Sequence, residues 1–63
     1  MYEVHHIAPN GELIMTEEAP TLAMARAWAR HEHNSNPTFR FVVKSKKTGS
    51  TCMDLGPIER QNK

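Results

Sequence analysis

The sequence predicts an α+β fold of order ββαββ, a four-stranded antiparallel sheet with one helix packed on one face. Three observations predict it. The turn triplet Pro9-Asn10-Gly11 separates two β-prone stretches. An alanine-rich segment with helical spacing, "TLAMARAWAR", fills the middle of the chain. Two more β-prone stretches, "TFRFVVKS" and "STCMDL", follow it on either side of "KKTG". Two hairpins joined by a single helix leave that helix to roof one side of the sheet.

The first strand is expected near residues 2–7. Its period of two puts Tyr2, Val4 and His6 on one face and Glu3, His5 and Ile7 on the other. In the turn, proline fixes φ, asparagine tolerates left-handed conformations and glycine takes positive φ freely. The second strand is expected near 12–16. Its Leu13, Ile14 and Met15 are all apolar and do not alternate. Either both of its faces are covered, or one is a contact surface. Glu17 and Glu18 then read as solvated acids ahead of the helix.

Thr21 is the expected N-cap, with Pro20 before it. At 100° per residue, Leu22, Met24, Ala25, Trp28 and Ala29 fall on one side, and Arg26 and Arg30 lie together on the opposite flank. Alanines on the inner face let the helix sit close to the sheet. "NSNP" stops it, because the asparagines favour αL or turn conformations and Pro37 cannot continue a helix. The third strand alternates well, with Phe39, Phe41 and Val43 on one face and Arg40, Val42 and Lys44 on the other. In the fourth, Thr51, Met53 and Leu55 face one way and Ser50, Cys52 and Asp54 the other. One domain is expected over residues 1–56. Residues 57–63, which begin at Pro57 directly after Gly56, are expected to form a flexible tail.

At 63 residues the chain is near the lower limit for burying a core without staples. Its single cysteine, Cys52, excludes an internal disulfide and the multi-thiolate zinc sites of very small domains. With 38% hydrophobic residues and four aromatics of the Phe, Trp and Tyr type, the core is thin, which favours a homodimer or a partner-dependent protein. A formal net charge of +1 provides no global steering toward phosphate or an anionic membrane. "MYEVHHIAPNG" has neither a basic leader nor an apolar run, so no secretory signal is expected. No stretch approaches the roughly 18 apolar residues of a membrane span. The lone thiol suits a reducing compartment, so the expected location is cytoplasmic.

The four histidines do not form a chelating pattern. His31 and His33 are two apart, which on a helix turns them about 160° from each other. His5 and His6 are adjacent on a strand and face opposite sides. No metal ligand is assigned, although a histidine site assembled across elements stays an alternative. Cys52 with a histidine could form a nucleophile–base pair. A chain this short leaves little room for a pocket and an oxyanion hole, so no catalytic residue and no cofactor are expected. The basic residues Arg40, Lys44, Lys46 and Lys47 are an alternative nucleic-acid patch, but the phenylalanines alternate away from them. Trp28, Arg26, Arg30 and Val42 are the candidate contacts for a protein partner. Tryptophan is over-represented among interface anchors.

The segment "TLAMARAWA" fits T-L-x-x-A-x-x-x-A through Thr21, Leu22, Ala25 and Ala29, and the strand "FRFVV" follows after a short polar break. Over about residues 21–43 this resembles small phage and bacterial α/β accessory proteins of the T7-type host RNA polymerase inhibitor kind. The resemblance implies a class, compact proteins that act by binding a larger machine, and carries over no functional residue. The function expected is therefore a non-enzymatic protein–protein interaction module, of phage or prophage type.

Overall fold

A computed structural model of the chain describes residues 1–58. Its elements are β1 (Tyr2–Ile7), β2 (Leu13–Ala19), α1 (Leu22–Ser35), β3 (Arg40–Ser45) and β4 (Thr51–Leu55). The strands form one antiparallel sheet of order β2-β1-β3-β4, and α1 lies across one face of it. The fold is the α+β, ββαββ arrangement expected from the sequence.

Both hairpins rest on glycine. Gly11 (φ 90°) and Gly49 (φ 79°) adopt the left-handed conformation that a Cβ disfavours. Gly11 N donates to Ala8 O at 2.8 Å, and Asn10 Oδ1 accepts from Glu12 N at 2.9 Å. In the second hairpin Gly49 N donates to Ser45 O at 2.7 Å. The helix begins as expected: Thr21 Oγ1 accepts from Met24 N at 3.1 Å. It ends with Asn36 N donating to Glu32 O at 2.8 Å. Asn34 and Asn36 both keep negative φ, so the stop needs no left-handed residue.

Two strands differ from expectation. β2 runs to Ala19, three residues past the expected end, because Tyr2, Glu3 and Val4 of β1 pair with Ala19, Glu18 and Glu17. The two glutamates belong to the strand and not to a connection; Glu18 is exposed as expected, whereas Glu17 is half-buried. The β1–β2 register also shifts between His6 and Ile7: His6 pairs with Met15, but Ile7 pairs with Leu13. Ile14 is the extra residue of this bulge, which accounts for the apolar run that does not alternate. A second shift leaves Cys52 extra in β4, so Thr51 pairs with Lys44 of the open face instead of continuing the Met53 and Leu55 face.

The core is small and lies between α1 and one sheet face. Val4, Ala19, Ala25, Ala29, Phe41 and Val43 are fully buried, rimmed by Tyr2, Leu22, Trp28, Phe39, Cys52, Met53 and Leu55. Ala25, Ala29 and His33 form the buried stripe of the helix. Phe41 sits between two histidine rings. His6 of β1 meets it edge-on at 5.0 Å, and His33 of α1 meets it edge-on at 5.7 Å. Past β4, Ile58 N donates to Pro37 O at 2.7 Å. Of the segment expected to be a flexible tail, residues 59–63 lie outside the described residues.

Candidate functional site

The side of the sheet away from α1 is dressed with charge. Arg40 makes a two-pronged bond to Asp54, Nε to Oδ1 at 2.9 Å and Nη2 to Oδ2 at 2.6 Å. The guanidinium holds the Asp54 carboxyl below its ordinary range, and the carboxylate in turn raises Arg40. Lys46 donates to Glu18 with the same reciprocal effect, Glu18 lowered and Lys46 raised. His5 Nε2 donates to Glu3 Oε1 at 3.2 Å, and Lys44 stands opposite Glu3 in the ladder. Val42 lies amid these groups, opposite His5 and Asp54, and is only 7% exposed. The uncovered face is therefore a layer of charged and polar side chains over Val42, with half-buried Ile7 and exposed Leu13 at its β2 end.

Apolar surface is concentrated at the rim. Leu13, Ile14 and Met15 are 51%, 55% and 46% exposed, consecutive, and on the edge strand β2. One side of β2 pairs with β1, and among the described residues the other side has no strand beside it. The opposite edge, β4, is shorter and carries no exposed large hydrophobic residue among those described. An edge strand with apolar side chains offers both backbone hydrogen-bonding groups and burial to an incoming strand.

Beside β2, on the helix side of the sheet, Glu17, Trp28, His31 and Glu32 line an open cleft of about 270 Å³. Trp28, His31 and Glu32 are at i, i+3 and i+4, so one flank of α1 supplies all three. Glu17 comes from β2, and its Oε1 accepts from His6 Nε2 at 3.0 Å. Among the described residues no lysine or arginine forms an ion pair with Glu17 or Glu32.

The structure sorts the residues proposed from the sequence into separate places. Trp28 is half-buried on the flank of α1 that faces β2, whereas Arg26 and Arg30 are exposed on the outer side, about 160° around the helix from it. Val42 lies on the far side of the sheet from Trp28. Of the basic patch, Arg40 and Lys46 are committed to carboxylates, Lys44 is half-buried opposite Glu3, and Lys47 is exposed in the β3–β4 turn. Among the described residues no three His, Cys, Asp or Glu side chains gather into a metal-holding group. Cys52 Sγ makes a weak contact of 3.8 Å with Ser50 O. No described helix is long and apolar enough to cross a membrane.

Sequence reasoning did not single out Glu17 or Glu32, and it raised a contact surface on the second strand only as one of two readings of Leu13, Ile14 and Met15. The run Leu13-Ile14-Met15 carried a signal in its broken alternation. Glu17 carried none, because its role depends on β2 continuing to Ala19. Compared with known protein families, with characterised proteins and with solved structures, the chain matches none. Its class is defined by architecture alone: a small ββαββ protein with one apolar sheet edge.

Proposed function

We propose that this chain is a non-enzymatic protein-interaction module that takes an extended segment of a partner protein onto the outer edge of β2. The observation that carries this reading is the exposed Leu13-Ile14-Met15 run on an unpaired edge. Strand addition supplies main-chain hydrogen bonds for affinity, and alternating side-chain contacts supply selectivity. A core of six fully buried residues, three of them alanines, suits a protein that gains stability when a partner covers its edge. Acting by occlusion of a larger protein in the cytoplasm fits the accessory class that the helix-and-strand segment resembles.

The neutralised open face favours this reading over nucleic-acid binding through Arg40, Lys44, Lys46 and Lys47, since two of those cations already have carboxylate partners. A second copy of the chain fits the edge poorly. Antiparallel self-pairing centred on Thr16 sets Ile14 against Glu18 and Met15 against Glu17, apolar groups against carboxylates. Centring it on Ile14 avoids that clash but shortens the overlap within β2 to Leu13, Ile14 and Met15.

The test is affinity capture from a lysate of the source cells with the native chain and Ile14→Lys in parallel. The captured protein is then titrated into isotope-labelled chain. Capture lost with Ile14→Lys, with amide shifts centred on Leu13–Glu17, is the expected result. Equal capture by both forms, or shifts centred on β4 or the outer side of α1, overturns it. Sedimentation over a concentration series reads self-association directly.

A further inference from the structure

We infer that the segment received by β2 carries a lysine or arginine whose side chain enters the cleft lined by Glu17, Trp28, His31 and Glu32, on the side of the two carboxylates. This rests on the strand-addition reading and names the chemistry of the partner. A strand laid beside β2 lies about 4.8 Å farther out. Its residue opposite Glu17 projects on the helix side of the sheet, with Cβ about 5 Å from that of Glu17. That position leads into the cleft, where Trp28 provides an aromatic wall and Glu17 and Glu32 provide carboxylates from two different elements.

The combination of an indole and two acids suits an alkylammonium or guanidinium. The ring attracts the cation through its quadrupole, the acids attract it through charge, and the stem packs on apolar carbon. The space, about 270 Å³, admits one such side chain, and no described lysine or arginine of the chain itself is paired with these acids. Glu17 is also positioned in advance, since His6 Nε2 anchors one of its oxygens at 3.0 Å. Two residues along β2 from Glu17, on the same face, stands Met15, 46% exposed. The partner segment is thus an extended stretch with a basic residue two positions from an apolar one. In the antiparallel sense of the rest of the sheet, the basic residue comes first.

The experiment titrates two short synthetic peptides of alternating threonine and valine. One carries a lysine two positions before a valine, and the other carries norleucine in place of that lysine. Trp28 is the only tryptophan, so its fluorescence reports on the cleft. The expected result is binding of the lysine peptide about tenfold tighter than the norleucine peptide, with a change in Trp28 emission. Glu32→Gln, and separately Glu17→Gln, should shrink that preference several-fold. Gln at position 17 can still accept from His6, and circular dichroism checks that each variant is folded. Equal binding of the two peptides, both lost with Ile14→Lys, overturns the cation site and leaves strand addition standing. No binding of either peptide, with unmoved β2 amides, overturns both.

Discussion

His33 of α1 donates through Nε2 to the carbonyl of Gly56 at 2.9 Å, tying the last turn of the helix to the chain just beyond β4. A carbonyl can only accept, so this nitrogen carries the proton. The same ring stands edge-on to Phe41 and takes the place in the buried stripe that alanine holds at positions 25 and 29. His33→Leu keeps most of the volume and loses the bond, so stability should fall by about 1 kcal/mol. His33→Ala also opens a cavity and should cost about 2–3 kcal/mol, much of what a domain of this size has. Urea denaturation followed by Trp28 fluorescence measures both. Equal losses for the two variants would mean that packing matters here and the bond does not.

The alanine stripe makes a second prediction. Ala29 is fully buried between helix and sheet, and Ala27 is exposed on the same helix. Ala29→Leu forces the layers apart and should destabilise by about 1–3 kcal/mol, whereas Ala27→Leu should stay within about 0.5 kcal/mol of the native chain. Thermal unfolding of the two variants gives the comparison. Tolerance of leucine at 29 would show that α1 can shift away from the sheet at little cost.

Legibility in the sequence followed the range of the interaction. Thr21 could be read as a cap because its bond reaches only to Met24, and the alternation of Phe41 and Val43 against Arg40 and Val42 is intrinsic to one strand. What escaped depends on partners distant in sequence. Glu17 and Glu18 belong to β2 because β1 continues beside them, although Glu-Glu-Ala has little preference for strands. Thr51 changes face because of a bulge that no local pattern marks. His33 is buried by Gly56 and Phe41, 23 and eight residues away. The cleft beside Trp28 needed both the longer β2 and the angle of α1, so half of its acidic pair was invisible.

The ion pairs of the open face set a pH dependence. Asp54 and Glu18 are held below their ordinary values of 3.8 and 4.5 by Arg40 and Lys46. A carboxylate depressed in the folded state contributes stability that is fully present above its unfolded pKa and is lost as pH falls through the folded value. The loss should therefore begin as the pH passes below the ordinary carboxylate range and continue until the lowered values are crossed. Lys46 and Arg40 are raised, so their contribution persists through neutral pH and disappears only in strong alkali. Both pairs are solvent-exposed, so salt screens them and the effect should be small at about 1 M. Urea midpoints at pH 7 and pH 3 for the native chain and for Glu18→Gln with Asp54→Asn provide the check. The double variant should show the flatter profile, and an unchanged profile would mean that other carboxylates set the acid limb.

The same pairs predict how the chain meets nucleic acid. Arg40 and Lys46 are neutralised in place by Asp54 and Glu18, leaving Lys47 as the exposed cation of the turn. Lys47 with half-buried Lys44 on this face, and Arg26 and Arg30 apart from them on the outer side of α1, do not form one contiguous phosphate surface among the described residues, so few counterions are released. The native chain should therefore show no retention of a single-stranded oligonucleotide at about 50 mM salt. Glu18→Gln with Asp54→Asn removes two negative charges from a formal net charge of +1, giving +3, and frees both cations on one face. That variant should acquire weak binding that falls steeply with added salt, lost again with Lys46→Ala. Fluorescence anisotropy of a labelled oligonucleotide across a salt series measures all three proteins. Tight, salt-sensitive binding by the native chain, unchanged in the double variant, would mean that the carboxylates do not guard these cations and that the basic strand and turn are a genuine phosphate surface.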